Sequence, residues 1–385
     1  MMTRGLRIVL VLSLSFIMSA ALIQCGGGHA PQSNGESVNG SGGASNTSGA
    51  SNTSGASNST GASNSVITPT VGANPAEIAI DASGDVWVTN FGVNSVTELT
   101  STGASNSTYG TLSFGGASPF GIAFDYLGFI WTANYDDNSV TMIEFNTPAF
   151  NATSCPDGFQ GTGQTVYRKY TASSGIGTGP HGIAIDASRN IWVTNYGTTT
   201  TAGTTVAKLV PSYGEFCFTT SPAVVTLTPA PFSPFTVGNN PYAIAIDASG
   251  NAWVANSGSD VAPGSTVTKI NPVTGLASTY SGPTASPLYG PHGIAIDTLG
   301  NVWVTNFGTT TAPGNTITEL NSSGTFLNSF TVGFNPEGIV IDPSGNVWVA
   351  NYYANNTNHL LGTLTVLRDA TPGTHFFPYA GPIWP

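Results

Sequence analysis

An all-β fold, a β-propeller of six four-stranded blades, is what this sequence predicts, and three observations carry it. One short phrase, Pro-x-Gly-Ile-Ala-Ile-Asp-x-x-Gly-Asn-x-Trp-Val-Thr-Asn, recurs six times. Its aspartate falls at Asp81, Asp125, Asp186, Asp247, Asp297 and Asp342, so the spacing runs from 44 to 61 residues. Within each copy, apolar strand-like runs alternate with turn residues. A period of this size made of strand-like segments marks a propeller, one blade per copy.

The fifth copy shows how each element arises. Strand a, Gly293-Ile294-Ala295-Ile296, is apolar on both sides, as a strand sandwiched between neighbouring blades must be. Asp297-Thr298-Leu299-Gly300-Asn301 is the a–b turn: the aspartate bonds turn amides and the glycine tolerates positive φ. Strand b, Val302-Trp303-Val304-Thr305-Asn306, has the β-branched and aromatic residues that suit a packed pleated surface. Strand c is Asn315–Leu320 and strand d Phe330–Val332. The tryptophans at Trp87, Trp131, Trp192, Trp253, Trp303 and Trp348 recur at one strand position, which predicts packing between blades rather than a ligand platform.

Ring closure has two candidates. Thr70-Val71-Gly72-Ala73-Asn74-Pro75 matches Thr236–Pro241 and Thr331–Pro336, which follow a preceding blade. On that match residues 67–72 complete blade 6 beside its third strand at Thr363–Leu367. His375-Phe376-Phe377 competes for the same place.

Residues 1–24 stand outside the fold. Arg4 and Arg7 precede an apolar run from Ile8 to Met18, and small residues follow, the pattern of an export leader. The segment around Leu22 and Cys25 resembles a bacterial lipoprotein signal, with Gln24 in place of the usual small residue. The resemblance implies lipidation of Cys25 and a protein anchored outside the cytoplasm, in the periplasm or on the cell surface. Cleavage after Ala21, with secretion, is the alternative. Residues 25–66 read as the lipidated cysteine and a Gly/Ser/Asn-rich disordered linker, with Gly-Ala-Ser-Asn-Thr-Ser repeating from Gly43. Such a linker spans roughly 35 Å end to end. The propeller then occupies 67–385.

Charge and cysteines narrow the function. Charged residues make up 7% of the chain, with 19 acidic against 8 basic, and no Lys/Arg cluster beyond Arg168-Lys169. That argues against a nucleic-acid partner. Cys155 and Cys217 fall in neighbouring blades of an exported chain, which points to a disulfide, with two free thiols as the alternative. The chain is expected to act as a monomer.

In a propeller the d–a and b–c connections gather around the mouth of the central channel. The residue five before each aspartate stands nearest the axis: Ala76, Phe120, His181, Tyr242, His292 and Glu337. A second ring, at the end of strand b, holds Asn90, Asn134, Asn195, Asn256, Asn306 and Asn351, mostly followed by an aromatic residue.

The phrases Pro-His-Gly-Ile-Ala-Ile-Asp at 180–186 and 291–297, with the Gly-Asn-x-Trp-Val-Thr segments, resemble NHL-type propeller repeats and those of virginiamycin B (streptogramin) lyases. A similar phrase occurs in the senescence-marker/gluconolactonase family. The lyase resemblance implies functional histidines at the channel position, and the gluconolactonase one a metal site there. On it, His292, Glu337 and His181 would be catalytic, Glu337 would hold Ca²⁺ or Mg²⁺, and the activity would be a metal-assisted lyase or lactonase. Asparagine stands in all six copies where the lyases carry glutamate after Trp-Phe-Thr. The reading favoured from the residues is therefore a non-catalytic module. It binds a carbohydrate, small molecule or protein through Phe120, Tyr242 and the asparagine ring.

Overall fold

The computed structural model describes residues 69–81, 83–104, 111–113, 117–125, 127–144, 166–213, 225–342, 344–353 and 363–368. The leader, the linker and all three cysteines lie outside them, and so does His375–Phe377. The described residues form six antiparallel sheets in a ring, each joining strands in sequence order. Blade 1 is Pro75–Ile80, Val86–Asn90, Ser95–Leu99 and Thr111–Ser113. Blade 5, the most regular, is Pro291–Ile296, Val302–Gly308, Pro313–Leu320 and Phe326–Thr331. Its strand d thus starts earlier than predicted. In blade 3 a fourth strand at Val225–Pro229 and a two-residue piece at Phe235–Thr236 both pair with strand c. Blade 6 shows three strands, Phe334–Ile341, Val347–Tyr353 and Thr363–Leu367.

The aspartate does more than close the turn. In every blade its Oδ1 accepts the amides two and four residues on, and its Oδ2 accepts the indole N–H of the strand b tryptophan. The turn is thereby fastened to the core. Burial alone would raise the Asp186 carboxyl. The bonds from Asn190 and Trp192 and the nearby Lys208 charge outweigh that and hold it below its ordinary value.

In blades 1–5 the tryptophan packs against the next blade. Trp87 joins Ile122 and Phe124 of blade 2, and Trp131 joins Ile183, Ile191 and Leu209 of blade 3. Trp192, Trp253 and Trp303 do the same across the following boundaries. These five are 0–3% exposed, whereas Trp348 of blade 6 is only half-buried. Five boundaries thus have a buried apolar cluster; between blades 6 and 1 none forms among the described residues.

A polar stitch accompanies alternate boundaries. The Thr89 hydroxyl accepts the Glu77 amide of its own blade and donates to the Phe120 carbonyl of blade 2, at 3.0 and 2.7 Å. Thr194 links Gly182 to Tyr242 in the same way, and Thr305 links Gly293 to Glu337. Ala133, Ala255 and Ala350 take that position in blades 2, 4 and 6.

Closure by residues 67–72 is not what the described part shows. Pro69–Gly72 belong to no strand, and the outer edge of Thr363–Leu367 pairs with no described strand. Gly72 does stand against Asn90 as Gly238 stands against Asn256 and Gly333 against Asn351. The segment therefore enters blade 1 as its counterparts enter blades 4 and 6.

Candidate functional site

A bulge aims the channel residues. In all six blades the a–b register slips between the proline and the isoleucine three residues on, as at Pro291 and Ile294. The two residues between them leave the ladder, and the first is the channel residue. Bulges re-aim side chains in this way, here toward the axis. The second is glycine in most blades because the next strand a passes close. A Cβ on Gly121 would lie 2.3 Å from the His181 carbonyl, and one on Gly293 would lie 2.3 Å from the Glu337 carbonyl. Blade 1 carries Glu77 at this position, and its carboxylate accepts the Ile122 amide at 3.1 Å.

The predicted channel residues do converge. Phe120 and His181 have ring centroids 3.6 Å apart, His181 and Tyr242 4.0 Å, and Tyr242 and His292 4.0 Å. His292 then stacks on Phe307, nearly parallel at 4.0 Å. Tyr196 stacks on the other side of His181 at 5.3 Å, and Tyr135 meets Tyr196 at 6.2 Å. Five rings from blades 2–5 thus make one continuous row of contacts, tilted from Phe120 to Tyr242 and stacked from Tyr242 to Phe307. It stops at blades 6 and 1, where Glu337, Ala76 and Glu77 stand half-buried.

Burial governs the electrostatics of the site. Burial pushes His181 down to about 3, although a contact with the Tyr242 carbonyl, 3.3 Å from Nδ1, opposes it. Burial, with His181 as a further cause, lowers His292 to about 3. Its Nδ1 is enclosed and has no hydrogen-bond partner among the described residues. Burial raises Glu77 to about 8, against the opposing effect of the Ile122 amide, and raises Glu337 above the usual carboxyl value. Near neutral pH both imidazoles are neutral and Glu77 is largely a carboxylic acid.

Two expectations change. His292 and Glu337 do not pair: Glu337 Oε1 accepts the Tyr242 hydroxyl at 3.0 Å, while His292 is held between Tyr242 and Phe307. A tyrosine reaches further than an imidazole, so blade 4 captures the carboxyl of blade 6. The asparagines of the second ring are 0–2% exposed. Their Nδ2 groups donate to strand c hydroxyls, Asn90 to Ser95 and Thr97, Asn134 to Ser139 and Thr141, Asn195 to Thr205. Asn256, Asn306 and Asn351 each bond two threonines in the same way. These amides tie strand b to strand c, while the Oδ1 atoms of Asn90, Asn256 and Asn351 are enclosed without a hydrogen-bond partner among the described residues. The signal was in the sequence, because each strand c carries Ser or Thr at the position opposite the asparagine.

A divalent cation does not fit the channel residues. Ca²⁺ and Mg²⁺ want several oxygen ligands with carboxylates among them. Glu337 is bonded to Tyr242 and raised toward its neutral form, and its ring neighbours are imidazole and aromatic. The one group of three clustered acids among the described residues, Asp81, Asp85 and Glu98, lies at the a–b turn of blade 1, on the opposite face. Blades 3 and 4 place Lys208 and Lys269 where blade 1 has Glu98, 3.4 and 3.6 Å from their turn aspartates.

No protein-family model matches the chain, and no curated protein matches it in sequence. Solved structures do resemble it. Virginiamycin B lyase from Staphylococcus aureus is 16% identical, with 76% of this chain and 83% of that one covered and a TM-score of 0.51. A streptogramin B lyase is 18% identical, covering 77% and 83%, with a TM-score of 0.50. A Lactobacillus plantarum protein is 14% identical, covering 78% and 85%, with a TM-score of 0.52. At these identities the likeness is one of fold: the chain is a six-bladed propeller of the kind seen in virginiamycin B lyase.

Proposed function

We propose that the protein binds an uncharged, hydroxylated small ligand of carbohydrate type at its channel face, displayed outside the cytoplasm on a lipid anchor at Cys25. The observation that carries the ligand reading is the continuous row of ring contacts through Phe120, His181, Tyr242, His292 and Phe307 with both imidazoles held neutral. Phe120 and Phe307, at the two ends of the row, are only half-buried; an aromatic face exposed there receives the C–H face of a sugar ring, and a few placed polar groups orient it. Tyr242, Glu337 and Glu77 supply those groups where the stack ends. A charged ligand gains little there. Lyase or lactonase chemistry is less well served, since an imidazole with a pKa of about 3 is a weak base near neutral pH.

The test is calorimetric titration of the purified propeller with neutral sugars, a uronate and an amino sugar, with and without Mg²⁺. Neutral sugars should bind without metal. Tyr242→Ala should weaken them about tenfold, equivalent to about 1.4 kcal/mol. Binding that survives Tyr242→Ala and His292→Ala, or that needs Mg²⁺, would overturn the reading. The anchor is tested by lipid labelling in cells, which Cys25→Ala should abolish.

A further inference from the structure

The rim of the channel mouth is interrupted at one blade. The residue after each ring asparagine is Phe91, Tyr135, Tyr196, Ser257, Phe307 or Tyr352, so five blades carry an aromatic residue there and blade 4 carries serine. The backbone at the serine matches that of its counterparts. The Ser257 amide donates to the Asn240 carbonyl at 3.0 Å, as Phe91 donates to Asn74, Tyr135 to Ser118, Tyr196 to Gly179 and Phe307 to Gly290. What differs at this point is the side chain.

The rim rings lie against the channel residues. Tyr196 touches His181 of its own blade and Tyr242 of the next, with centroids 5.3 and 6.0 Å apart, and Tyr135 meets His181 at 6.4 Å. By the same repeat, the place of Ser257 lies between Tyr242 and His292, which stack at 4.0 Å. A hydroxymethyl group there leaves the space of a ring unfilled. The two histidines differ accordingly: His181, beside Tyr135 and Tyr196, is 5% exposed, whereas His292 is half-buried. Ser257 itself is buried, as a short side chain between taller neighbours is. Its hydroxyl makes no hydrogen bond to another described residue.

We infer that this gap is the ligand's seat: a recess one ring wide, floored by Ser257 and bounded by Tyr242 and His292, that admits a single neutral hydroxylated ring of pyranose size. The nature of the ring follows the carbohydrate reading above; its place follows from the rim alone. The bound ring takes the position that an aromatic side chain takes in the other five blades. Its C–H face lies against the rings that bound the gap. One of its hydroxyls pairs with Ser257, which can both donate and accept.

The experiment is calorimetric titration of the full chain with methyl glucopyranoside and methyl mannopyranoside, in the wild type and two variants. Ser257→Phe restores the rim ring and should abolish binding, with thermal melting to show that the fold persists. Ser257→Ala keeps the space but removes the hydroxyl, and should weaken binding about fivefold. Unchanged binding in either variant overturns the inference while the carbohydrate reading stands. A third variant, Ser257→Cys, reads the recess without any sugar. In the folded protein iodoacetamide should alkylate the introduced thiol, with the site located by peptide mapping. Ala255→Cys, at a fully buried position two residues earlier on strand b, should stay unreacted. An unreactive thiol at position 257 overturns the inference. Alkylation there, with no glycoside bound by the wild type, overturns the carbohydrate reading and leaves the recess in place.

Discussion

Blades 2 and 3 and blades 6 and 1 meet through the same repeated phrase, yet the two boundaries differ in kind. Between blades 2 and 3, Trp131, Met142, Ile191 and Leu209 are fully buried in one cluster. Between blades 6 and 1, Trp348 remains half-buried and no apolar cluster forms among the described residues. The phrase specifies a blade: its turn, its tryptophan and the aspartate that joins them. A boundary needs more. It needs an outer strand to cover the tryptophan and a neighbour at the right height to receive it.

The sharpest way to break this comparison is to remove both tryptophans. Trp131→Ala should cost about 3–5 kcal/mol, because a buried aromatic leaves a cavity that cannot collapse. Trp348→Ala should cost less than half of that in urea unfolding. Equal losses would mean the sixth boundary is packed like the others.

The pH dependence of stability probes a different boundary, that between blades 1 and 2. Glu77 is raised in the folded state to about 8, so its contribution is complete below pH 4.5 and is lost as pH rises through 8. Glu337 acts in the same sense. His181 and His292 are lowered to about 3, so their contribution is complete above pH 6.5 and is lost as pH falls toward 3. The opposing slopes should give a broad maximum of thermal stability between about pH 4.5 and 6.5, with a decline toward pH 8. Glu77→Gln should flatten that decline. If it does not, Glu77 is not the group responsible.

Smaller effects come from the threonine stitch. Thr305→Ala removes a bond to blade 6 and leaves the Gly293 amide unsatisfied, which should cost about 1–2 kcal/mol. The converse change, Ala350→Thr, gives blade 6 a hydroxyl placed to reach the Ala76 carbonyl of blade 1. It should raise the melting temperature slightly, with a gain of no more than about 1 kcal/mol. A loss would show that blades 6 and 1 stand too far apart for the stitch.

Much of this was legible in the sequence. The aspartate and tryptophan sit at fixed offsets, so the turn, the strands and the channel position follow from counting. The bond from Asp297 to Trp303 was not foreseen, because the indole N–H reaches back over the turn only once both strands are twisted. The bonds from the asparagine ring to strand c are hidden for a related reason. A polar residue at a strand end looks available until the hydroxyls of the next strand are set opposite it. The pairing of Glu337 was beyond reach, since spacing does not tell which of several neighbours a long side chain will choose. Glu77 is legible as an exception, since it stands where four blades have glycine and one has alanine.

The alternation of Thr89, Ala133, Thr194, Ala255, Thr305 and Ala350 has a consequence for how such a gene is cut and copied. Strand b threonines join blade 1 to 2, blade 3 to 4 and blade 5 to 6, while other hydroxyls link the pairs: Tyr170 donates to the Val225 carbonyl between blades 2 and 3, and Thr310 to Asp260 between blades 5 and 4. In this one contact the ring repeats as three two-blade modules. The unit of duplication that leaves every stitch intact is a pair of blades. A circularly permuted chain opened between blades 2 and 3, or between 4 and 5, keeps all three modules whole. One opened between blades 3 and 4 cuts through a module.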